Sequence, residues 1–216
     1  DVQFPHGVAL LEGGEFIFGD GWTGEILRSD AEGNILWRIS TPAYGLGQVP
    51  SGLRVFDVGG RPLLVAALLG EGELGTGERF DQVVAWWIDG ESPEQAWAFP
   101  REPDPSLLLW VHGPQQLPDG SLIVSSSGLG QIVRLDPWGS ELGRVPPMGD
   151  PFRFAFPRDA VMLPDGDLLV LDATEVLRVS DPFGAYEVEL VTEMYFGYSL
   201  ELLECASGEC IGGEPR

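Results

Sequence analysis

The 216-residue chain contains no lysine, so all twelve of its fixed cations are arginines. Thirty-four Asp and Glu outweigh them and leave a formal net charge of −22. A surface this acidic repels phosphate backbones, so nucleic acid is not an expected partner. Anionic membranes are disfavoured for the same reason. Long apolar runs are also missing, and none approaches the ~20 residues that a spanning helix needs. Cysteine is scarce: Cys205 and Cys210 are the only two. Two thiols fall short of the usual four ligands of a structural zinc site. The short stretch between them contains a Gly, which suits a small disulfide loop, with free thiols as the alternative. A disulfide implies an exported protein, extracellular or periplasmic. The residues Asp1-Val-Gln-Phe-Pro5 are not a signal peptide, so such a signal was either removed or never present.

Helical signals are absent as well: no segment combines a 3.6-residue period with caps. What is abundant is Gly, with 30 residues, and Pro, with 18. Among short apolar runs they mark many tight turns. These turns recur. Leu11-Glu-Gly-Gly14, Asp57-Val-Gly-Gly60, Leu117-Pro-Asp-Gly120 and Leu163-Pro-Asp-Gly166 each follow an apolar strand and supply the positive φ of a hairpin. A later strand in each unit ends on an Asp: Ile26–Asp30, Val84–Asp89, Ile132–Asp136 and Val176–Asp181. A turn and a last apolar strand close each unit. Three units agree almost residue for residue, and the second carries an insertion around Leu69–Glu78 that reads as a surface loop.

Four strands in roughly 45 residues is the period of a propeller blade. The expected fold is therefore all-β: one β-propeller domain over 1–216, with repeats at about 4–48, 49–103, 108–148 and 155–193. A sandwich or irregular barrel is the rival, but neither predicts so regular a period. Tyr198–Glu204 matches His6–Glu12 and reads as one extra strand of a fifth unit, followed by a C-terminal tail. How the ring closes is left open. The extra strand caps the fourth unit, pairs with the N-terminal strand, or meets another chain, which makes self-association one expectation.

Val111-His-Gly-Pro-Gln-Gln-Leu-Pro-Asp-Gly-Ser-Leu-Ile-Val124, followed by Gly130–Asp136, resembles NHL-type propeller repeats. It also resembles the related repeats of bacterial arylsulfotransferases. Phe4–Leu11 and Phe156–Leu163 look similar in the same register. The second resemblance implies a channel-facing His that accepts a sulfuryl group, with other His and Arg residues steadying it. Those roles fall at the starts of the inner strands, which hold His6, Ser51, His112 and Arg158.

Equivalent positions of successive blades converge at one end of a propeller channel, so these four residues, with Asp159, are expected around one mouth. Arg is a fixed cation with a planar donor fork, and His titrates near neutrality, so the ring suits an anion. One His can also serve as a nucleophile toward a sulfuryl or acyl group. The plainer alternative is that these side chains plug a narrow channel and bond nearby carbonyls. Two His plus Asp159 can ligate zinc, but no local spacing points to it, and no metal site is assigned. Asp20, Ser126 and Asp172 share another register; oxygen ligation of calcium is weighed there against bonding to backbone between blades, and the latter is preferred. No cofactor is expected, since neither Gly45-Leu-Gly47 nor Gly128-Leu-Gly130 opens a helix. The overall expectation is a binding or scaffold propeller of an exported protein, holding a small molecule or a protein at the channel mouth. The alternatives are an arylsulfotransferase-like transferase or a hydrolase using His6 or His112 with Arg158, and a propeller fragment completed by self-association.

Overall fold

The computed structural model describes residues 5–41, 49–70, 80–102 and 104–195. Cys205, Cys210, Gly45–Gly47 and the extra strand at 198–204 lie outside these residues.

The strands follow from short apolar runs, which in the middle of the blades are buried on both faces, and the turns from their Gly and Asp. Blade 1 contains β1 (Pro5–Leu10), β2 (Phe16–Asp20), β3 (Glu25–Ser29) and β4 (Ile35–Ser40). Blade 2 contains β5 (Val49–Val58), β6 (Arg61–Leu69), β7 (Gln82–Trp87) and β8 (Glu94–Phe99). Blade 3 contains β9 (Val111–Gln116), β10 (Leu122–Ser126), β11 (Gln131–Leu135) and β12 (Glu141–Val145). Blade 4 contains β13 (Pro157–Met162), β14 (Leu168–Asp172), β15 (Glu175–Ser180) and β16 (Glu187–Glu193). Each blade is one antiparallel meander of four strands in sequence order. The insertion of blade 2 falls between its second and third strands, where its spacing put it, and β5 and β6 are longer than their counterparts.

Each pair of neighbouring blades encloses its own core. Ile17, Ile26 and Ile39 of blade 1 meet Leu53, Leu64, Ala66 and Trp86 of blade 2. The opposite face of blade 2, with Leu63, Val65 and Trp97, meets Val111, Leu122 and Val133 of blade 3. Blade 3 then presents Ile123, Ile132 and Val145 to Ala160, Leu168 and Leu177 of blade 4. Strand period two explains this arrangement: alternate residues of a blade belong to different cores. Trp86 and Trp87 illustrate it. Trp86 is buried toward blade 1, whereas Trp87 turns to the other face beside Trp138, with ring centroids 6.3 Å apart.

Polar side chains hold the segments that enter and leave the blades. Asp172 accepts from the backbone amides of Ala155 and Phe156, just ahead of β13. Asp81 accepts from those of Trp110 and Val111, at the entry to β9. Ser126 takes the amide of Leu109 at 3.0 Å. The side-chain amides of Gln82 and Gln131 donate to the carbonyls of Pro100 and Pro146, each at 2.9 Å, and so hold the exit from the last strand of their blades. Asp172 and Ser126 thus bond backbone, the role preferred for that register. Among the described residues no group of three or more His, Cys, Asp or Glu is placed to hold a metal ion.

The four inner strands lie side by side in the order β1, β5, β9, β13. Among the described residues no strand pairing joins blade 4 back to blade 1. Among the described residues no hydrophobic core cluster joins blade 4 to blade 1 either.

Candidate functional site at the channel mouth

Each inner strand begins with a β-bulge. The register shifts between His6 and Val8, between Pro50 and Gly52, and between Pro157 and Asp159; on the β9–β10 pair the shift falls opposite Gly113. A bulge bends the strand and re-aims the side chain beside it. Here it lets the next inner strand come close. A Cβ on Gly7 would sit 2.9 Å from the amide nitrogen of Leu53, and one on Gly113 only 2.7 Å from the Asp159 carboxylate. Both glycines have positive φ, +67° and +55°. Gly therefore follows the channel residue in blades 1, 2 and 3, and the residues before it converge.

His6, Ser51, His112, Arg158 and Asp159 line a single cavity of about 360 Å³, together with Arg54, Gly7, Gly52 and Gly113. The structure thus brings together all five side chains singled out at the inner-strand starts. It also separates their surroundings. The Ser51 hydroxyl is within reach of the carbonyls of Ala67 and Val111. With one proton it donates to one of them at a time, and it bridges blades 2 and 3. The carboxylate of Asp159 is buried and accepts from the Ala160 amide at 3.0 Å and the Gln115 side chain at 3.4 Å. The Arg158 guanidinium lies over the Phe156 ring, 4.9 Å from its centroid. Phe156 also packs edge-on against Trp110 at 5.1 Å and lies 6.4 Å from the His112 ring. An aromatic floor thus supports both Arg158 and His112.

Two contributors were not singled out from the sequence. Strict alternation from Ser51 leads to Leu53, but the bulge shifts the register, and Arg54 also reaches the cavity. Its hydrogen bond among the described residues is to the Leu53 carbonyl at 3.2 Å. Phe156 belongs to the Phe-Pro-Arg segment that carried the family resemblance, and that segment was the available signal for the aromatic floor.

Two guanidiniums and two imidazoles in one concavity concentrate donors in a chain that is otherwise strongly acidic. The arrangement can bind an anionic or hydrogen-bond-accepting group. A planar oxyanion accepts two parallel bonds from a guanidinium.

Stacked four-stranded meanders around a common channel define a β-propeller. No known protein family matches the chain by sequence, and no curated protein does either. Solved structures do match its fold. Virginiamycin B lyase from Staphylococcus aureus superimposes with a TM-score of 0.60 at 12% identity, covering 88% of this chain and 56% of that one. A protein from Lactobacillus plantarum gives 0.63 at 17% identity, covering 88% and 55%. A streptogramin B lyase gives 0.59 at 16% identity, covering 85% and 53%. The chain therefore spans little more than half the length of these propellers. At such identities the likeness is one of fold, and fold does not carry activity.

Proposed function

We propose that this propeller is a binding module whose channel mouth holds a small molecule through an anionic group, such as a sulfate ester or a carboxylate. One observation carries the reading: four successive blades direct His6, Ser51, His112 and Arg158, with Arg54, into one cavity of an acidic chain. Its fixed cations attract the anion. The test is titration with 4-nitrophenyl sulfate and a matched panel of inorganic sulfate, benzoate and uncharged nitrobenzene. Binding of the charged members is expected to weaken at least tenfold in Arg158→Ala and to fall with rising salt. Equal affinity for nitrobenzene would sink the reading.

A second reading follows from His112 and Arg158 sharing this cavity: sulfuryl transfer of the arylsulfotransferase kind. An imidazole nitrogen would attack sulfur, the S–O bond would break and phenolate would leave, and a second phenol would then take the sulfuryl group. Release of 4-nitrophenol that depends on an acceptor phenol and disappears in His112→Ala would support transfer. Binding without release in the native chain would leave the binding module alone.

A further inference from the structure

The chain has two histidines, His6 and His112, and both line the channel-mouth cavity. Nothing local brings them together. They stand on β1 and β9, in blades 1 and 3, and β5 of blade 2 runs between these strands. The close crossings of the inner strands deliver both rings to one place. Gly7 meets β5 in this way, and a Cβ on Gly52 of β5 would sit 3.3 Å from the Gly113 amide nitrogen of β9. Imidazole is the one side chain whose ordinary titration falls between about pH 5 and 8. All of the chain's imidazole titration therefore takes place at this cavity.

The charged groups around the two rings are of both signs. Arg54 of β5 and Arg158 and Asp159 of β13 share the cavity lining with them. Asp20 ends β2 across from Pro5, beside the Gly19 partner of His6. Asp81, just ahead of β7, takes the amides of Trp110 and Val111 immediately before His112. Asp172 ends β14 across from Pro157 and takes the amides of Ala155 and Phe156. β10 places the uncharged Ser125 across from His112. Among the described residues of the lining itself, two guanidiniums stand against one carboxylate. The lining thus carries one net positive charge with both imidazoles neutral, and three with both protonated.

We infer that anion binding at the channel mouth is coupled to proton uptake by His6 and His112, so that the site holds its ligand in mild acid and releases it as pH rises. The inference rests on the proposed binding of an anionic group there and states how that binding is regulated. A bound anion favours the charged imidazole, so it raises the affinity of each ring for a proton. By reciprocity each proton raises the affinity for the anion. The sign follows: the liganded cavity holds more protons than the empty one, so affinity falls as pH rises through the imidazole range. An opposite charge within about 4–6 Å shifts protonation by roughly tenfold or more, so each imidazole contributes about tenfold in affinity.

Calorimetric titration with benzenesulfonate tests the inference. Its single charge is constant over this range and it has no leaving group, so the pH profile belongs to the protein. Affinity should fall by about tenfold per imidazole between about pH 5.5 and 8.5. His6→Gln and His112→Gln should each remove about one factor of ten from that fall, and the double variant should bind without pH dependence. The Cε1–H resonances of the two native histidines give the same reading without any substitution: the ligand should move both titration midpoints upward. Midpoints that the ligand leaves in place would overturn the coupling. So would a pH profile that survives in the double variant, which would put the proton on a carboxylate such as Asp159. Binding by the native chain that is independent of pH would overturn the coupling alone. No binding at any pH would overturn the anion-binding reading and the coupling with it.

Discussion

The two ends of the inner strands use the same residue type in opposite ways. At the turn end, strand-three arginines are clasped by carboxylates of the first hairpin: Arg28 by Glu15 at 2.5 Å, Arg134 by Asp119, and Arg178 by Asp165 and Asp167 at 2.6 and 2.7 Å. Blade 2 has Trp86 and Trp87 in that part of its third strand and reverses the polarity: Arg61 opens β6 and meets Asp89, just beyond β7, at 2.7 Å. At the channel end, Arg54 bonds a backbone carbonyl and Arg158 lies on an aromatic ring. The difference teaches how a lysine-free chain divides its few cations. One group neutralises carboxylates and fastens hairpins; the other lines the channel-mouth cavity, beside the buried carboxylate of Asp159.

Backbone crowding separates the two ends most sharply. Gly113→Ala places a methyl 2.7 Å from the Asp159 carboxylate and 3.1 Å from the Arg158 carbonyl, at φ +55°. Gly120, at the turn end, has φ +84° and open space around it. Both substitutions pay for left-handed backbone, about 1 kcal/mol or more. Only Gly113→Ala adds collision, so its loss in urea unfolding should reach about 3 kcal/mol. Channel-mouth binding should fail with it. Equal losses at the two glycines would show that the inner strands are not tightly apposed.

A middle-sized effect comes from exchanging the two kinds of arginine. Arg134→Gln removes a bond to the Ser121 hydroxyl at 3.0 Å, the pair with Asp119, and the contact with Phe183. It should cost about 1 kcal/mol of stability and leave anion binding intact. Arg54→Gln should do the reverse: a stability change within about 0.5 kcal/mol, and aryl sulfate binding weaker by roughly tenfold. Unfolding midpoints and titrations on the two variants decide it. If both lose stability and neither loses affinity, the division between the two ends collapses.

Much of this division is legible in the sequence. The Gly-ended turns and Asp-ended strands reveal four repeats, and their common register brings His6, Ser51, His112 and Arg158 to one place. What periodicity misses is whatever breaks it. The bulge before Gly52 carries Arg54 to the cavity against simple alternation. The reversed ion pair of blade 2 has no counterpart in the other units, so comparing repeats does not find it. Phe156 precedes its strand, and its position under Arg158 and His112 depends on packing between blades. The exposed row of Val8, Leu10 and Phe16 on blade 1 looks like any other blade face in sequence, because alternation states which side a residue takes and not what covers it.

The smallest effect concerns acid. Asp119 is held below the ordinary carboxylate range, first by the Ser121 hydroxyl; burial opposes this, and the Ser121 amide and Arg134 lower it further. A lowered folded pKa means that the unfolded chain binds the proton more readily, so stability rises with pH through this region. The contribution is complete above the unfolded value near ~4 and is lost as pH falls through the folded one. The Asp119 side chain is 55% exposed, so solvent screening reduces the contribution to roughly a few tenths of a kcal/mol. Ser121→Ala removes the largest cause and should flatten the dependence of unfolding free energy on pH below ~4. Arg54→Gln, at the other end of the blades, should leave that slope unchanged. Matching slopes in the native chain and Ser121→Ala would mean that the clasp orders the hairpin without holding the Asp119 proton off. The turn end would then differ from the channel mouth in geometry alone.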